Sequence, residues 1–563
     1  MIEKVKIWDA VPGNEWDDDR DLKMYPTWAC DMTHSWPRLM AMEGWFWMKY
    51  MTNGYVDIYA KLYRPTIRGS MRRVRNGADM MAFDVIRDEQ EVKKREVIFK
   101  ERVIAYSADF PGWWQKAKQE LMELYAKLKR FDLDAASNIE LLNHLYDLID
   151  ASRKMWQIHW HGLAVVSNAW VLFEDLCKEL WGLTDLSPEF QKLMSGYDNK
   201  MLQVDKRMWQ LAKSAVDKGI SDIILNTDPK ELFQKLEQNK AGKEWLKDLK
   251  DFLDEDGWRM AHLHVFHEPT WIEEPTPAIE GIRGFIKKGG DFLPDKERGG
   301  IAKQREETLA GILKKVPNER KDEFTKLLRA AQLAGAFNEE HTYYCENYCH
   351  GLIRRGLLGI GRRLVKAGAI DKPADVLFLN PPEIEGVMPG PEICDLRWIV
   401  DRRRKEWEKW SKMDIPPIVT SRSSIPEAFQ KDISLWREPI LDKIVAGNPP
   451  EVRPELKADF YGLPVSPGVV EGTARVVVVA EELDQLQEGE ILVAPFTTAT
   501  WTPVFALIKG VVTDVGGPLS HTAIVSREYG IPAVTNVGDG TKKIKTGQKI
   551  RVDGGEGTVY ILK

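Results

Sequence analysis

What the chain lacks sets the first limits. No apolar run approaches the roughly eighteen residues that a membrane-spanning helix needs, which argues against a membrane protein. Cysteine is scarce: the five residues are dispersed and odd in number, form no disulfide framework and read as reduced thiols. Neither sign of charge dominates. With 80 Lys and Arg against 86 Asp and Glu, a formal net charge of −6 offers no broad attraction to nucleic acid. The first residues carry neither the apolar core nor the small-residue cleavage site of a secretory signal, so the cytoplasm is the expected compartment. Tandem repeats, low-complexity tracts and a Walker-type phosphate loop are missing as well.

Tryptophan, by contrast, is plentiful. There are 21 in 563 residues, many in the first third, as in Gly44-Trp45-Phe46-Trp47-Met48. Large helical cores account for most of them, and pockets for flat ligands are the alternative. A chain this long exceeds what one growing core sustains, so two to four domains are expected. From about residue 110 to 440, apolar residues recur at three- and four-residue spacing, which predicts a mainly α-helical region. Glu96 to Ala105 stays open between strand and helix.

Composition changes after Trp436. Pro449, Pro450 and Pro454 fix φ repeatedly, which predicts a semi-rigid linker over 446–457. Beyond it, short β-rich segments bounded by glycine predict a compact α/β domain over 458–563. The expected organisation is therefore multidomain: a mainly α-helical substrate-binding domain over 1–445, with a division near residue 110 as an option, then the α/β unit.

One histidine in that unit stands out. Val511 to Asp514 predicts a strand, Val515 to Ser520 a turn, and His521 to Tyr529 a helix stopped by Gly530-Ile531-Pro532. Ser520 is then the N-cap, and His521 sits in the first turn, where free N–H groups and the helix dipole favour an anion. Gly516 and Gly517 allow a phosphate to approach the backbone, and the Ser520 and Thr522 hydroxyls add donors. Such a histidine suits nucleophilic attack on phosphorus. A capping or surface histidine is the plainer alternative.

Gly516 to Val534 resembles the signature of the swivelling phosphohistidine domain of the phosphoenolpyruvate-utilising enzymes, among them rifampin phosphotransferase and phenylphosphate synthase. Residues 462–468, 491–495, 497–503 and 538–554 resemble other parts of the same domain, while Thr498 stands where Asp is frequent and Ser526 where Ala is usual. The resemblance implies that His521 carries a phosphoryl group between two remote sites, with Gly516, Gly517, Ser520, Thr522 and Thr497 around the phosphate.

Residues 1–440 resemble, more weakly, the helical acceptor-binding domain of the same enzymes, at 28–37, 257–271 and 361–379. This implies an acceptor pocket drawn from Trp28, Asp31, His34, Trp36, Arg259, His262 and His264. His34, His262, His264 and His267 are candidate bases for the acceptor hydroxyl, Asp31 can orient a histidine, and Arg259 can stabilise phosphoryl oxygens. His262-x-His264-x2-His267 and Cys345-x3-Cys349-His350 invite a metal reading, but without supporting ligands at suitable spacing no metal is assigned.

In the full-length phosphoenolpyruvate enzymes an ATP-grasp module precedes the swivelling domain and a phosphoenolpyruvate-binding barrel of about 250 residues follows it. About forty residues follow His521 here, so phosphoenolpyruvate or pyruvate is not the expected acceptor. ATP and Mg²⁺ are expected on a separate ATP-grasp-type subunit. The resulting expectation is a multisubunit, dikinase-type phosphotransferase resembling phenylphosphate synthase, which phosphorylates a phenol-like substrate in aromatic-compound degradation and releases AMP and phosphate. No nucleic-acid or membrane partner is expected. Alternatives are a rifamycin-like or benzylic alcohol as acceptor, or a non-catalytic binding or regulatory protein.

Overall fold

The three- and four-residue apolar spacing after residue 110 condenses into helices that each bury one stripe. Phe110–Arg130 turns Phe110, Trp114, Ala117, Leu121, Tyr125 and Leu128 inward. Asn138–Trp181, 44 residues long, is the axis of the helical domain. It starts in a capping box between Ser137 and Glu140 and ends at Gly182 in the left-handed conformation. The helix Lys321–His341 packs along it so closely that a Cβ on Gly162 would lie 2.1 Å from Phe337 Cζ. The computed structural model describes residues 16–30, 38–260, 262, 265–289, 293–416, 418–421, 439, 443–444, 447 and 449–562.

Glu96 to Ala105 belongs to the helix Glu89–Ala108, capped by Asp88, whose carboxylate accepts from the Gln90 and Glu91 N–H groups. The Val-Ile-Phe and Val-Ile-Ala runs made that segment ambiguous, because only Phe99, Val103 and Ser107 of this helix are buried. Near residue 110 the chain passes directly into the next helix, and Phe110 joins the same core.

A small sheet packs at one end of the helices. Its strands are β1 (Thr27–Cys30), β2 (Ile67–Arg75), β3 (Ala78–Val85) and β4 (Ile418–Thr420), in the order β2-β3-β1-β4. Asn76 and Gly77, both at positive φ, make the tight β2–β3 turn. β4 comes from the far end of the helical domain and pairs antiparallel with β1.

The α/β domain carries β5 (Phe460–Tyr461), β6 (Leu463–Ser466), β7 (Val469–Val476), β8 (Ile491–Ala494), β9 (Gly510–Thr513), β10 (Ala533–Thr535), β11 (Lys549–Asp553) and β12 (Thr558–Ile561). They form one sheet in the order β5-β12-β11-β7-β8-β9-β10-β6. Strands β7, β8, β9 and β10 run parallel to their neighbours, and the flanking pairs are antiparallel. β8 and β9 are buried throughout, which is why they read as continuous apolar runs. A multidomain chain with a mainly helical part and a sheet-containing C-terminal unit is what the sequence predicted. The tryptophans serve the cores first: Trp28, Trp156, Trp170, Trp245 and Trp271 are fully buried.

Candidate functional site

The loops after β8 and β9 leave the carboxyl ends of adjacent parallel strands, where open α/β sheets bind ligands. His521 starts the helix His521–Tyr529, capped by the Ser520 hydroxyl, which accepts from Ala523 N–H, and stopped by Gly530 at φ 66°. Thr497, from the β8 loop, places its hydroxyl 2.8 Å from His521 Nδ1 and 2.8 Å from the Thr522 hydroxyl. Thr502 Oγ1 lies 3.0 Å from Nε2, and the Phe505 ring meets the imidazole edge to face. Two hydroxyls thus satisfy either neutral tautomer. Burial, seconded by the charge of Arg259, lowers the imidazole pKa to about 3, so at neutral pH the ring keeps the lone pair that a nucleophile needs.

The predicted loop glycines are present for a different immediate reason. A Cβ on Gly517 would stand 2.3 Å from the Lys443 carbonyl oxygen. Gly517 N–H donates to Ile444 O, and Leu519 N–H donates to Lys443 O at 2.7 Å. Those donors are engaged by the chain entering the linker rather than turned toward a phosphate. Gly516, at φ 130°, occupies backbone space closed to side chains. Lys443 itself is buried, with its ammonium 2.7 Å from Glu174 and 2.6 Å from Asp185 of the helical domain.

The α/β domain sits against the helices with His521 facing them. Nε2 lies 3.9 Å from Glu339 Oε2. Beside it, Asn338 donates to Leu519 O at 3.1 Å, and the Tyr529 hydroxyl donates to Asp205 at 2.8 Å. Gln191 donates to Pro464 O, and Gly196 N–H to Glu528. Burial pushes Glu339 up to about 8 and Asp205 up to about 7, with Arg259 opposing both.

Arg259, expected from the sequence to meet phosphoryl oxygens, is completely buried next to these acids. Its guanidinium lies over the Trp271 and Tyr343 rings, and Nη2 reaches Met201 Sδ at 3.0 Å. Its Nε and Nη1 atoms are buried with no hydrogen-bond partner among the described residues. Fixed donors of this kind match the geometry of a phosphoryl group. Magnesium does not fit this set, because both nearby carboxyls are held toward neutrality and an arginine lies among them.

The remaining predicted residues divide. Trp28 packs in the small sheet against Trp16 and Tyr25, and its indole donates to Tyr25 O at 2.9 Å, away from the groups around His521. Asp31, His34, Trp36 and His264 lie outside the described residues. His262 Nδ1 is 2.6 Å from Glu268, and His267 Nδ1 is 2.8 Å from Glu43. Burial disfavours a charge on His267, but Glu43 outweighs it and raises the pKa. Cys345 and Cys349 are buried core thiols whose pKa values burial raises, and His350 is buried and kept neutral, with burial lowering its pKa to about 3. The sequence reading missed Glu339, Asp205 and Thr502, which sit in ordinary helical or loop patterns and gain their meaning only where the domains meet.

Residues 486–557 match the family described as "PEP-utilising enzyme, mobile domain", which contains His521. Residues 157–339 match "Rifampicin phosphotransferase fourth domain", which contains Asp205, Arg259 and Glu339. Chondramide synthase of Chondromyces crocatus is 27% identical over 97% of this chain and 14% of its own length. An uncharacterised phosphotransferase of Bacillus subtilis is 28% identical over 66% of the chain and 43% of its length. Rifampicin phosphotransferase of the same organism is 33% identical over 55% of the chain and 34% of its length. The chain thus spans less than half the length of each of these relatives.

Proposed function

We propose that this chain, whose residues 486–557 match the mobile domain of the phosphoenolpyruvate-utilising enzymes, is part of a phosphotransferase that moves a phosphoryl group from ATP, through His521, to an aromatic hydroxyl compound. The observation that carries the reading is the meeting of a neutral histidine with a buried arginine whose Nε and Nη1 lack partners among the described residues. His521 Nε2 attacks the β-phosphorus of ATP bound with Mg²⁺ on a separate nucleotide-binding subunit and displaces AMP, and water then removes the terminal phosphoryl group as inorganic phosphate, which leaves one phosphoryl group on Nε2. The α/β domain then swings about the 446–457 segment to the posture seen here. There Arg259 holds the phosphoryl oxygens, the acceptor oxygen attacks phosphorus, and the P–N bond breaks with its electron pair returning to Nε2. Glu339, once ionised, takes the hydroxyl proton. His262 and His267 are already held by carboxylates, which favours Glu339 as the base.

The buried rings of Trp271, Tyr343 and Phe505 beside Arg259 and His521 favour a flat acceptor. The relatives named for rifampicin favour a second reading, in which a rifamycin-type alcohol is the acceptor. The test is intact-protein mass spectrometry at alkaline pH after incubation with Mg-ATP, alone and with a candidate ATP-grasp protein. An acid-labile phosphate that is lost in His521→Ala, and that phenol or a rifamycin then removes, bears the proposal out and names the acceptor. Absence of label with any donor subunit sinks it.

A further inference from the structure

A second cluster of chemistry-bearing residues lies inside the helical domain and has no part in the His521 reading. His159, on the long helix, meets His341 and Glu346, and all three are buried, with 2 to 4% of each residue exposed. Each offers one donor atom, and the three atoms lie within 4.8 Å of one another. Glu346 Oε1 stands 3.2 Å from His159 Nδ1 and 3.6 Å from His341 Nε2. Two atoms each about 2.0–2.1 Å from a tetrahedral metal ion are separated by roughly 3.3 Å, so both spacings suit edges of one coordination shell. The longer one exceeds an N–H···O hydrogen bond.

The fold takes trouble to make this convergence. His341 and Glu346 are five residues apart, a spacing that an ordinary α-helix places well off one face. Here the helix turns into a π-helix over Thr342–Asn347, whose i to i+5 period lines the two residues up, and π segments are frequent at functional sites. On the opposite side, Gly162 removes the side chain that would keep Phe337, and with it the turn carrying His341, away from the helix of His159. The imidazole rings of His159 and His341 meet edge to face with centroids 4.7 Å apart.

The surrounding contacts prepare the ligands. His341 Nδ1 lies 3.0 Å from Phe337 O, the contact of an N–H donating to a carbonyl. That leaves the Nε2 lone pair directed at the cluster, the tautomer-fixing arrangement found behind metal-bound histidines. Phe337 stacks on the His341 ring, and Trp156 and Trp160 hold the His159 ring edge to face. We propose that His159, His341 and Glu346 bind one divalent first-row transition-metal ion, of the Zn²⁺, Co²⁺ or Fe²⁺ class, leaving a fourth position for water or another small oxygen ligand. The ion would tie the long helix to the π turn.

The test uses the full chain and does not depend on phosphotransfer, so its failure is separable from that of the His521 reading. Metal-stripped protein is titrated with Co²⁺ and followed by its visible d–d absorption, then with Zn²⁺ in competition. One equivalent per chain is expected, with intense bands of a four- or five-coordinate ion that Zn²⁺ abolishes. His341→Gln and Glu346→Gln should each lower the affinity at least tenfold with an unchanged far-ultraviolet circular dichroism spectrum, whereas His262→Gln should bind as the unaltered chain does. If either cluster variant unfolds, X-ray absorption of the zinc-loaded unaltered protein decides instead: scattering from two imidazoles supports the site. Absence of saturable Co²⁺ absorption, or full binding by His341→Gln, overturns it.

Discussion

Replacement of Glu339 by Gln separates the two halves of the proposed reaction. Burial holds the Glu339 carboxyl at about 8, so at pH 7 it is ionised in about one molecule in ten, and at pH 8 in about half. If it accepts the proton of the acceptor hydroxyl, transfer from phosphorylated His521 should quicken about fivefold between pH 7 and 8. Asp205, at about 7, lies in the same electrostatic field, so the rise belongs to the pair and spreads over more than one unit. Glutamine preserves shape and cannot take a proton. A general base supplies a factor of about 10² to 10⁴, or about 3–5.5 kcal/mol of barrier, and the variant should lose that factor together with the pH dependence. The assay loads His521 with a small chemical donor such as phosphoramidate, removes the donor, adds phenol at pH 6 to 8.5 and follows the acid-labile label. Loading of His521 should be unaffected. A variant that transfers within threefold of the unaltered chain, with the same pH profile, refutes the assignment of the base.

Arg259→Lys replaces the paired donors of the guanidinium by a point charge, and transfer from His521 should fall by about 10² to 10³, the loss expected for one fixed transition-state donor; the same single-turnover assay measures it. Lys443→Met leaves Asp185 buried without its cation while Glu174 keeps Lys178 at 2.8 Å, so a denaturant titration should show a loss of about 3–5 kcal/mol, and limited proteolysis should cut sooner within 446–457. Gly517→Ala forces a Cβ against the Lys443 carbonyl, and the same proteolysis should show the linker released from the histidine loop. Linkage gives opposite signs for the two partners at the site. His521, depressed to about 3, removes stability as pH falls from about 6.5 toward 3, whereas Glu339, raised to about 8, removes stability as pH rises from about 4.5 through 8. In thermal melts between pH 6 and 8.5, Glu339→Gln should therefore lack part of the alkaline decline of the unaltered chain.

The histidine helix was legible because every signal that defines it is local. Ser520 can cap only the next turn, Gly530 supplies the left-handed stop, and the apolar runs at β8 and β9 belong to strands covered on both faces. The helical domain was legible through its periodicity, except where Val and Ile cluster on a mostly exposed helix and tilt local preference toward a strand. The site proved harder, because its other half, Asp205, Arg259 and Glu339, lies far from His521 in the sequence. Nothing in Asn338-Glu339-Glu340 distinguishes one carboxyl from its neighbour in the sequence. In the structure Glu339 is buried against His521, while Glu340 pairs with Lys118 at 3.1 Å on a more open face. Arg259 was readable from its surrounding motif, but its two nitrogens without a partner among the described residues follow from burial among Trp271, Tyr343 and Met201, which no spacing rule predicts. The histidine, cysteine and carboxylate clusters make the same point: His262 and His267 each meet a separate carboxylate, and the thiols at 345 and 349 are packed in the core. The cluster that does converge joins residue 159 to residues 341 and 346 through a π turn, a backbone feature that sequence periodicity does not encode.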